Sequence, residues 1–198
     1  MLQARNLRCE RDYRVLFEDL CFSLEAGEAL RIHGSNGTGK TTLLRILCGL
    51  YQDYTGDIVW EDESQSGDYL YQGHAPGIKD HLTAEENLAY LLGLGGRDQI
   101  DQAILHEGLR AVGLAGFEDA FCGSLSAGQR KRVNLARFFL SDHLLWIMDE
   151  PFSAIDTSGV VLLQEMMASH VKKGGALILT SHQDLDVNHP VREVWLGS

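Results

Sequence analysis

The chain has 198 residues, of which 44% are hydrophobic, and its 17 Lys and Arg against 28 Asp and Glu give a formal net charge of −11. This length suits one α/β domain with a sizeable core, and the acidic balance argues against a general nucleic-acid-binding protein. No apolar run approaches the roughly 20 residues of a membrane span, and no basic-then-apolar leader opens the chain. We therefore expect any membrane role to depend on a partner.

Four cysteines are scattered through the chain at positions 9, 21, 48 and 122. No two of them form a C-x-x-C pair, and without a secretion signal the default is a set of reduced, mostly buried thiols. The eight histidines also lack the spacing of a metal site. We therefore expect neither disulfides nor a metal bound by cysteine or histidine.

Strand-like and helix-like segments alternate along most of the chain. Residues 2–33 have a broken period-two pattern typical of β-structure, and residues from about 82 to 130 have the texture of a helical insert. Thr83, which two glutamates follow closely, predicts a helix N-terminus in that insert. The other predicted elements are a strand at 29–33, a helix from 42 to about 50, a strand at 57–60, an exposed loop at 61–68, a strand at 68–72, helices before Gly93, near 99–112 and at 127–139, a strand at 144–148, a helix at 160–171, and strands at 176–180 and 191–196.

A glycine-rich motif lies between the apolar segment 29–33 and the helix-like segment 42–47. It reads Gly34-Ser35-Asn36-Gly37-Thr38-Gly39-Lys40-Thr41-Thr42. The spacing G-x-x-x-x-G-K-T in a strand–loop–helix context predicts a phosphate-binding P-loop. Its glycines let backbone N–H groups approach an anion, and the helix N-terminus adds positive charge. We expect Lys40 to reach the β- and γ-phosphates of a nucleotide, and the Thr41 hydroxyl to bind Mg²⁺.

Two acidic residues follow the apolar run 144–148. An acid at the end of a buried strand beside a P-loop can hold Mg²⁺ through water, which is the role we predict for Asp149. The next acid, Glu150, can polarise a water molecule for attack on the γ-phosphate. The alternative is a pair of acids that merely end a strand at the surface, and the nearby P-loop motif disfavours it.

A third motif, Leu125-Ser126-Ala127-Gly128-Gln129, stands shortly before the Asp149 strand. It resembles the signature of ATP-binding-cassette (ABC) ATPases, in which the usual sequence is L-S-G-G-Q. Residues 153–156 resemble the D-loop of that family, and His182 resembles its switch histidine. The resemblance covers essentially the whole chain. It implies one ABC ATP-binding domain over 1–198, with a mostly parallel core sheet, an N-terminal antiparallel β region and an inserted helical subdomain.

The resemblance also implies how the motifs work together. Two copies would pair head to tail, so that Ser126, Gly128 and Gln129 of one copy contact the ATP of the other. Asp156 would cross the interface between the copies. His182 would contact the γ-phosphate and position the attacking water with Glu150. The implied cofactors are ATP and Mg²⁺, and the implied partners are a second copy and integral membrane subunits, with no nucleic acid.

Two positions depart from the family pattern. The family places a glutamine after the strand that precedes the helical insert, where it contacts Mg²⁺ or water. Gln72 is present, but the family's spacing falls on His74, and either side chain can hydrogen-bond a water. The family also stacks an early aromatic residue on adenine. Tyr13 is the candidate, although the spacing falls on Glu10 or Arg11 instead.

A narrower resemblance comes from the stretches 73–79 and 114–119, together with the motifs above. They are similar to the ATPase subunit of the bacterial cytochrome c maturation system. This implies a peripheral subunit on the cytoplasmic face of the inner membrane, which powers haem export or release of a haem-loaded chaperone. We expect no direct haem binding, since the chain has no C-x-x-C-H motif. Another small ABC exporter and a soluble non-transport ABC ATPase are the alternatives.

Overall fold

The computed structural model describes residues 1–61, 67–75, 77–97, 99–187 and 189–197. They form two compact units. The first unit comprises Met1–Gly73, His143–Pro151 and Met167–Ser198, and the second comprises His74–Asp142 and Phe152–Met166. Residues 62–66 of the predicted loop, and Pro76 within the 73–79 stretch, lie outside the described residues.

The elements follow the predicted order along the chain. The strands are β1 (Leu2–Arg11), β2 (Arg14–Leu24), β3 (Ala29–His33), β4 (Thr55–Trp60), β5 (Tyr69–Gln72), β6 (Leu145–Asp149), β7 (Ala176–Thr180) and β8 (Val191–Trp195). The helices are α1 (Lys40–Leu47), α2 (Ala84–Leu94), α3 (Gln102–Ala111), α4 (Ala127–Phe139) and α5 (Thr157–Lys172). Helix α5 starts three residues before its predicted position, because the Asp156 carboxylate accepts a hydrogen bond from the N–H of Gly159 and caps the first turn.

A parallel sheet in the first unit has the strand order β5-β6-β7-β3-β8. Its strands β6 and β7 are buried at every residue, as their continuous apolar runs predicted. Because the strands are parallel, the chain leaves β3, β6 and β7 at the same edge of the sheet. That edge therefore collects the P-loop, Asp149 with Glu150, and the segment that contains His182.

An antiparallel sheet in the first unit has the order β2-β1-β4. Its β1–β2 hairpin turns through Asp12 and Tyr13, which both adopt left-handed backbone conformations. Helix α1 buries Leu43, Leu44 and neighbouring apolar residues in one core to which both sheets contribute. The predicted combination of a parallel core sheet with an N-terminal antiparallel region is confirmed.

The second unit is built around helices α2, α3 and α4, which pack against one another. Helix α2 begins with the predicted cap, in which Thr83 and Glu86 exchange hydrogen bonds between side chain and backbone. The buried side chain of Asn87 accepts from the N–H of Lys79 and donates to the carbonyl groups of Lys79, Leu82 and Thr83, which ties down the loop before α2. In the described ranges, no helix combines the length and apolar character that crossing a membrane requires.

Candidate active site

The P-loop joins β3 to α1 and needs glycine at two positions in particular. Gly34 has φ +146°, and a Cβ atom there would lie 2.9 Å from the carbonyl oxygen of Leu196. Gly39 has φ +97°, and a Cβ atom there would lie 2.9 Å from the Cβ of Leu16. A larger residue at either position would strain the backbone and displace a neighbour. The predicted P-loop conformation therefore depends on these glycines.

Lys40 is the first residue of α1, and its side chain folds back over the loop. The ammonium group donates to the carbonyl oxygens of Gly34 and Ser35, at 2.6 and 3.2 Å. A pocket of about 410 Å³ opens beside it, lined by P-loop residues and by Ser181 and His182 after β7. The lysine charge, the P-loop backbone and the histidine thus share one cavity, and this combination suits a polyphosphate.

Asp149 ends β6 with its carboxylate almost fully buried. The Thr41 hydroxyl donates to Asp149 Oδ2 at 2.7 Å, and the Thr180 hydroxyl donates to Asp149 Oδ1 at 2.7 Å. The hydroxyl and carboxylate oxygens of Thr41 and Asp149 are hard donors of the kind that Mg²⁺ prefers. Among the described residues no group of three or more His, Cys, Asp or Glu side chains could hold a metal. A magnesium ion here would therefore need phosphate oxygens as further ligands, as is common for this ion.

Glu150 follows in a left-handed backbone conformation, with φ +49°. Its N–H donates to the Thr180 hydroxyl at 2.9 Å. Its carboxylate Oε1 lies 3.5 Å from Nε2 of His182, whose ring is largely exposed. The structure thus brings an acid next to a histidine that lines the pocket, and a carboxylate in such a position can serve as a general base.

The segment after His182 is anchored by two hydrogen-bonding groups. The Ser181 hydroxyl accepts from the N–H of Gln183 and donates to its carbonyl oxygen, both at 2.9 Å. Arg31 on β3 also donates to the Gln183 carbonyl oxygen, at 3.0 Å, and to the Asp184 carboxylate, at 3.0 Å. These contacts hold the backbone next to His182 and leave its ring exposed to the pocket.

Gln72 is the last residue of β5 and is only 1% exposed. In the β5–β6 register it is paired with Met148, so its side chain faces away from the side of the sheet that carries Asp149. Tyr71 faces that side instead, and burial together with the negative charge of Asp149 raises the pKa of its phenol. The carboxamide nitrogen of Gln72 donates to the carbonyl oxygen of Gly73. The role predicted for Gln72 stays a prediction.

His74 is the other candidate for that role, and it begins the second unit with an exposed side chain. Its predicted contact with Mg²⁺ or water stays a prediction. Tyr13 is fully exposed at the tip of the β1–β2 turn, and Glu10 and Arg11 beside it are exposed too. Which of these residues contacts adenine also stays a prediction.

The signature motif lies in the second unit, at the start of α4. Ser126 is the N-cap of this helix, and it exchanges hydrogen bonds with Gln129 in a capping box, at 3.1 and 2.9 Å. A Cβ atom at Gly128 would overlap the carbonyl oxygen of Ala154. The missing side chain therefore lets the helix start pack directly against the backbone of segment 153–156, and Ser126 stays exposed.

Segment 153–156 is held by a buried lysine of the same unit. Lys131 donates to the hydroxyl of Ser153 at 2.6 Å. Asp156 is exposed, and its pKa is lowered chiefly by the hydrogen bond from the Gly159 N–H, with a smaller effect from Arg132. The second unit thus presents the signature and the predicted D-loop as one connected surface.

Sequence reasoning missed both Thr180 and Lys131. Thr180 directly follows the apolar run 176–179. A hydroxyl group at the end of a buried strand needs a hydrogen-bond partner, and this could have pointed to Thr180. Lys131 is one of three consecutive basic residues at 130–132. Nothing in that run distinguishes the member that becomes buried.

Comparison with known proteins decides the family. A family model described as "ABC transporter" matches residues 17–153.

The chain belongs to the ABC transporter family.

Its relatives include two proteins called cytochrome c biogenesis ATP-binding export protein CcmA. The one from Aliivibrio fischeri is 47% identical over 205 aligned positions, which cover 100% of both chains. The one from Escherichia coli K12 is 50% identical over 194 positions, which cover 94% of this chain and 91% of the relative.

Solved ABC structures match the fold. A putative ABC transporter ATP-binding protein from Pyrococcus furiosus superposes with a TM-score of 0.84 at 23% identity, covering 98% of this chain and 96% of the other. The dimeric ATP-binding cassette MJ0796 bound to ADP and phosphate superposes with a TM-score of 0.82 at 20% identity, covering 99% and 94%. The predicted fold class is confirmed, and the chain is an ABC-type ATPase that binds nucleotide.

Proposed function

We propose that this ABC ATPase is the energy-coupling subunit of the membrane complex for cytochrome c maturation. The names and the 47–50% identity of its relatives support this, together with alignments that span at least 91% of each chain. In this complex the subunit sits peripherally at the cytoplasmic face of the inner membrane and drives haem export or release of a haem-loaded chaperone. Integral membrane subunits, and not this chain, handle haem.

The proposed ATPase mechanism rests on one distance. Glu150 Oε1 lies 3.5 Å from Nε2 of His182, which lines the pocket beside the P-loop. The P-loop N–H groups bind the phosphates, and Lys40 leaves the P-loop carbonyls to reach the β- and γ-oxygens. Glu150 accepts a proton from the attacking water while the oxygen of that water bonds to the γ-phosphorus. The bond from that phosphorus to the bridging oxygen breaks, and ADP leaves.

Thr41 and Asp149 are the residues that would hold Mg²⁺, which when bound neutralises charge on the β- and γ-phosphates. The Asp149 carboxylate is already oriented for this, because Thr41 and Thr180 each donate to one of its oxygens. His182 contacts the γ-phosphate and holds the water in line for attack. Its exposed ring, with the loop behind it anchored, suits a group that must reach a substrate.

The active unit is a head-to-tail pair of copies. Ser126 and Gly128 of one copy, at the N-terminus of α4, offer hydrogen-bond donors and a helix dipole to the γ-phosphate held by the other copy. Gln129 fixes the Ser126 cap, and Asp156 reaches across the interface. Because ATP forms part of this interface, its binding favours the closed pair and its hydrolysis releases it.

The test is complementation of a bacterium that lacks its own version of this ATPase. The chain should restore covalent haem attachment to c-type cytochromes, measured by haem staining of separated proteins. Lys40→Ala and Glu150→Gln should fail although both proteins accumulate, because one weakens phosphate binding and the other removes the base. Normal ATP turnover without restored cytochromes would instead indicate another exporter or a non-transport ATPase.

A further inference from the structure

Thr180 is the fully buried last residue of β7, in the middle of the parallel sheet. It is paired in register with Asp149 on one side and with Ile32, just before the P-loop, on the other. Side chains paired in register between neighbouring parallel strands lie on the same face of the sheet. Thr180 therefore reaches the edge where the phosphate pocket opens, yet it contributes no exposed surface.

The single hydroxyl of Thr180 serves both acids of the site. It donates to Asp149 Oδ1 at 2.7 Å and accepts from the N–H of Glu150 at 2.9 Å. A hydroxyl can do this because one oxygen is both a donor and an acceptor. An isosteric valine has neither capacity and would leave a buried carboxylate oxygen and a backbone N–H without this partner.

The contact to Glu150 falls where the backbone is strained. Glu150 has φ +49°, a left-handed conformation that costs energy for a residue with a side chain and persists only when its surroundings hold it. The hydrogen bond from the Glu150 N–H to the Thr180 hydroxyl holds the backbone at this position. This conformation directs the Glu150 carboxylate to within 3.5 Å of His182.

We propose that Thr180 is a positioning residue for ATP hydrolysis. Its hydroxyl keeps the Glu150 backbone left-handed and the Asp149 carboxylate in the orientation that faces Thr41. The inference rests on the proposed role of Glu150 as the base. Thr180 is fully buried, and it acts only through the two acids.

The experiment compares Thr180→Val with Thr180→Ser, with Thr55→Val as the matched control. Thr55 is an exposed residue of β4, which belongs to the antiparallel sheet and not to the sheet that contains Thr180, so the same substitution there tests the general effect of valine in a strand. The full-length proteins are purified together with the membrane subunits that accompany them. Phosphate release, ATP binding and thermal unfolding are measured for each.

Thr180→Val should lower kcat about 10- to 100-fold, since a base displaced by about 1 Å loses rate on that scale. The KM for ATP should change by less than about threefold, because the P-loop is intact. Thr180→Ser should recover most of the rate, since serine retains the hydroxyl. In a Glu150→Gln background, Thr180→Val should cause a smaller further loss, because only its contact with Asp149 is then left to remove.

Wild-type kcat in Thr180→Val would overturn the inference, and so would equal losses in the valine and serine variants. A loss as large in the Glu150→Gln background as in the wild-type background would do the same, because it would mean that Thr180 does not act through Glu150. If the valine variant does not fold, Thr180→Ala replaces it, and an alanine variant as fast as the serine variant would count against the proposal. Full turnover in Glu150→Gln alone would refute the role of Glu150 as the base. That result would contradict the proposed mechanism, whereas the outcomes above contradict only the role of Thr180.

Discussion

Single residues of the active site adopt backbone conformations that depend on contacts elsewhere in the same unit. Glu150 and Ala154 are both left-handed although neither is glycine, and Gly34 takes a φ of +146° that a larger residue would strain to adopt. Each lies next to a group with an assigned or proposed role. Such conformations are costly and are found where geometry matters for function. In this protein they accompany the approach of the Glu150 carboxylate to His182 and shape the P-loop and segment 153–156.

Gly128 gives the sharpest test at this scale. Gly128→Ala should lower the free energy of unfolding by about 1–3 kcal/mol, because the new methyl group overlaps the carbonyl oxygen of Ala154 and must displace it. ATP turnover should fall with it, since the start of α4 shifts. Chemical denaturation and phosphate release measure the two effects.

The control for this substitution is Gly93→Ala in helix α2. A Cβ atom there meets nothing within 4 Å, and alanine is the better helix former, so stability should be unchanged or rise by up to about 1 kcal/mol. If the two substitutions change the free energy of unfolding equally, the result would contradict the close packing of α4 on segment 153–156.

At the scale of elements, the parallel sheet depends on how helices cover its buried strands. The end of α5 contributes His170, whose ring stacks on Trp146 of β6 with centroids 3.8 Å apart. His170 Nε2 lies 3.2 Å from the carbonyl oxygen of Ala176, where β7 begins. Burial lowers the pKa of His170 below its ordinary value of 6.5. The neutral ring is therefore the form that fits between helix and sheet.

This contact predicts a pH dependence of stability. Well above pH 6.5 the ring is neutral in both states, and His170 adds no pH dependence. As the pH falls below 6.5 the unfolded chain takes up the proton first, so the free energy of unfolding declines, by at most about 1.4 kcal/mol per pH unit. Denaturation of the wild type and of His170→Phe, which keeps a ring on Trp146, measures the difference. A wild-type decline identical to that of the variant would rule out this role for His170.

At the scale of the molecule, the motifs divide between the two compact units. The P-loop, Asp149, Glu150 and His182 belong to the first unit, and the signature with segment 153–156 belongs to the second. In the proposed head-to-tail pair, each ATP is held by the first unit of one copy and the second unit of the other. Defects in different units of different copies should therefore complement one another.

Mixing Lys40→Ala protein with Ser126→Arg protein tests this arrangement. A mixed pair contains one site with both defects and one site with neither, so ATP turnover should exceed the sum of the two separate proteins. Lys40→Ala mixed with Glu150→Gln is the matched control, because both changes lie in the first unit and every site stays defective. Phosphate release in each mixture is the measurement. Recovery in the control, or none in the first mixture, would contradict head-to-tail pairing.

Much of the site could be predicted from the sequence because its motifs obey local rules. The P-loop spacing is set by backbone angles within nine consecutive residues, and the Thr83 cap is set by hydrogen bonds that span three residues. The continuous apolar runs of β6 and β7 indicate that both faces of these strands are buried. The order of the motifs along the chain then indicates the ABC family.

Tertiary structure decided the contacts that join distant parts of the chain. Thr41 and Asp149 are 108 residues apart, and Asp149 and Thr180 are 31 apart, so their meeting depends on sheet order and register. Gln72 shows the same dependence, since the register that pairs it with Met148 decides which face of the sheet its side chain lies on. The sequence by itself determined the chemistry available to this protein, through local spacing. Only the packed sheet decided that one buried hydroxyl, on Thr180, would hold both acids, because register is a property of neighbouring strands and not of either strand alone.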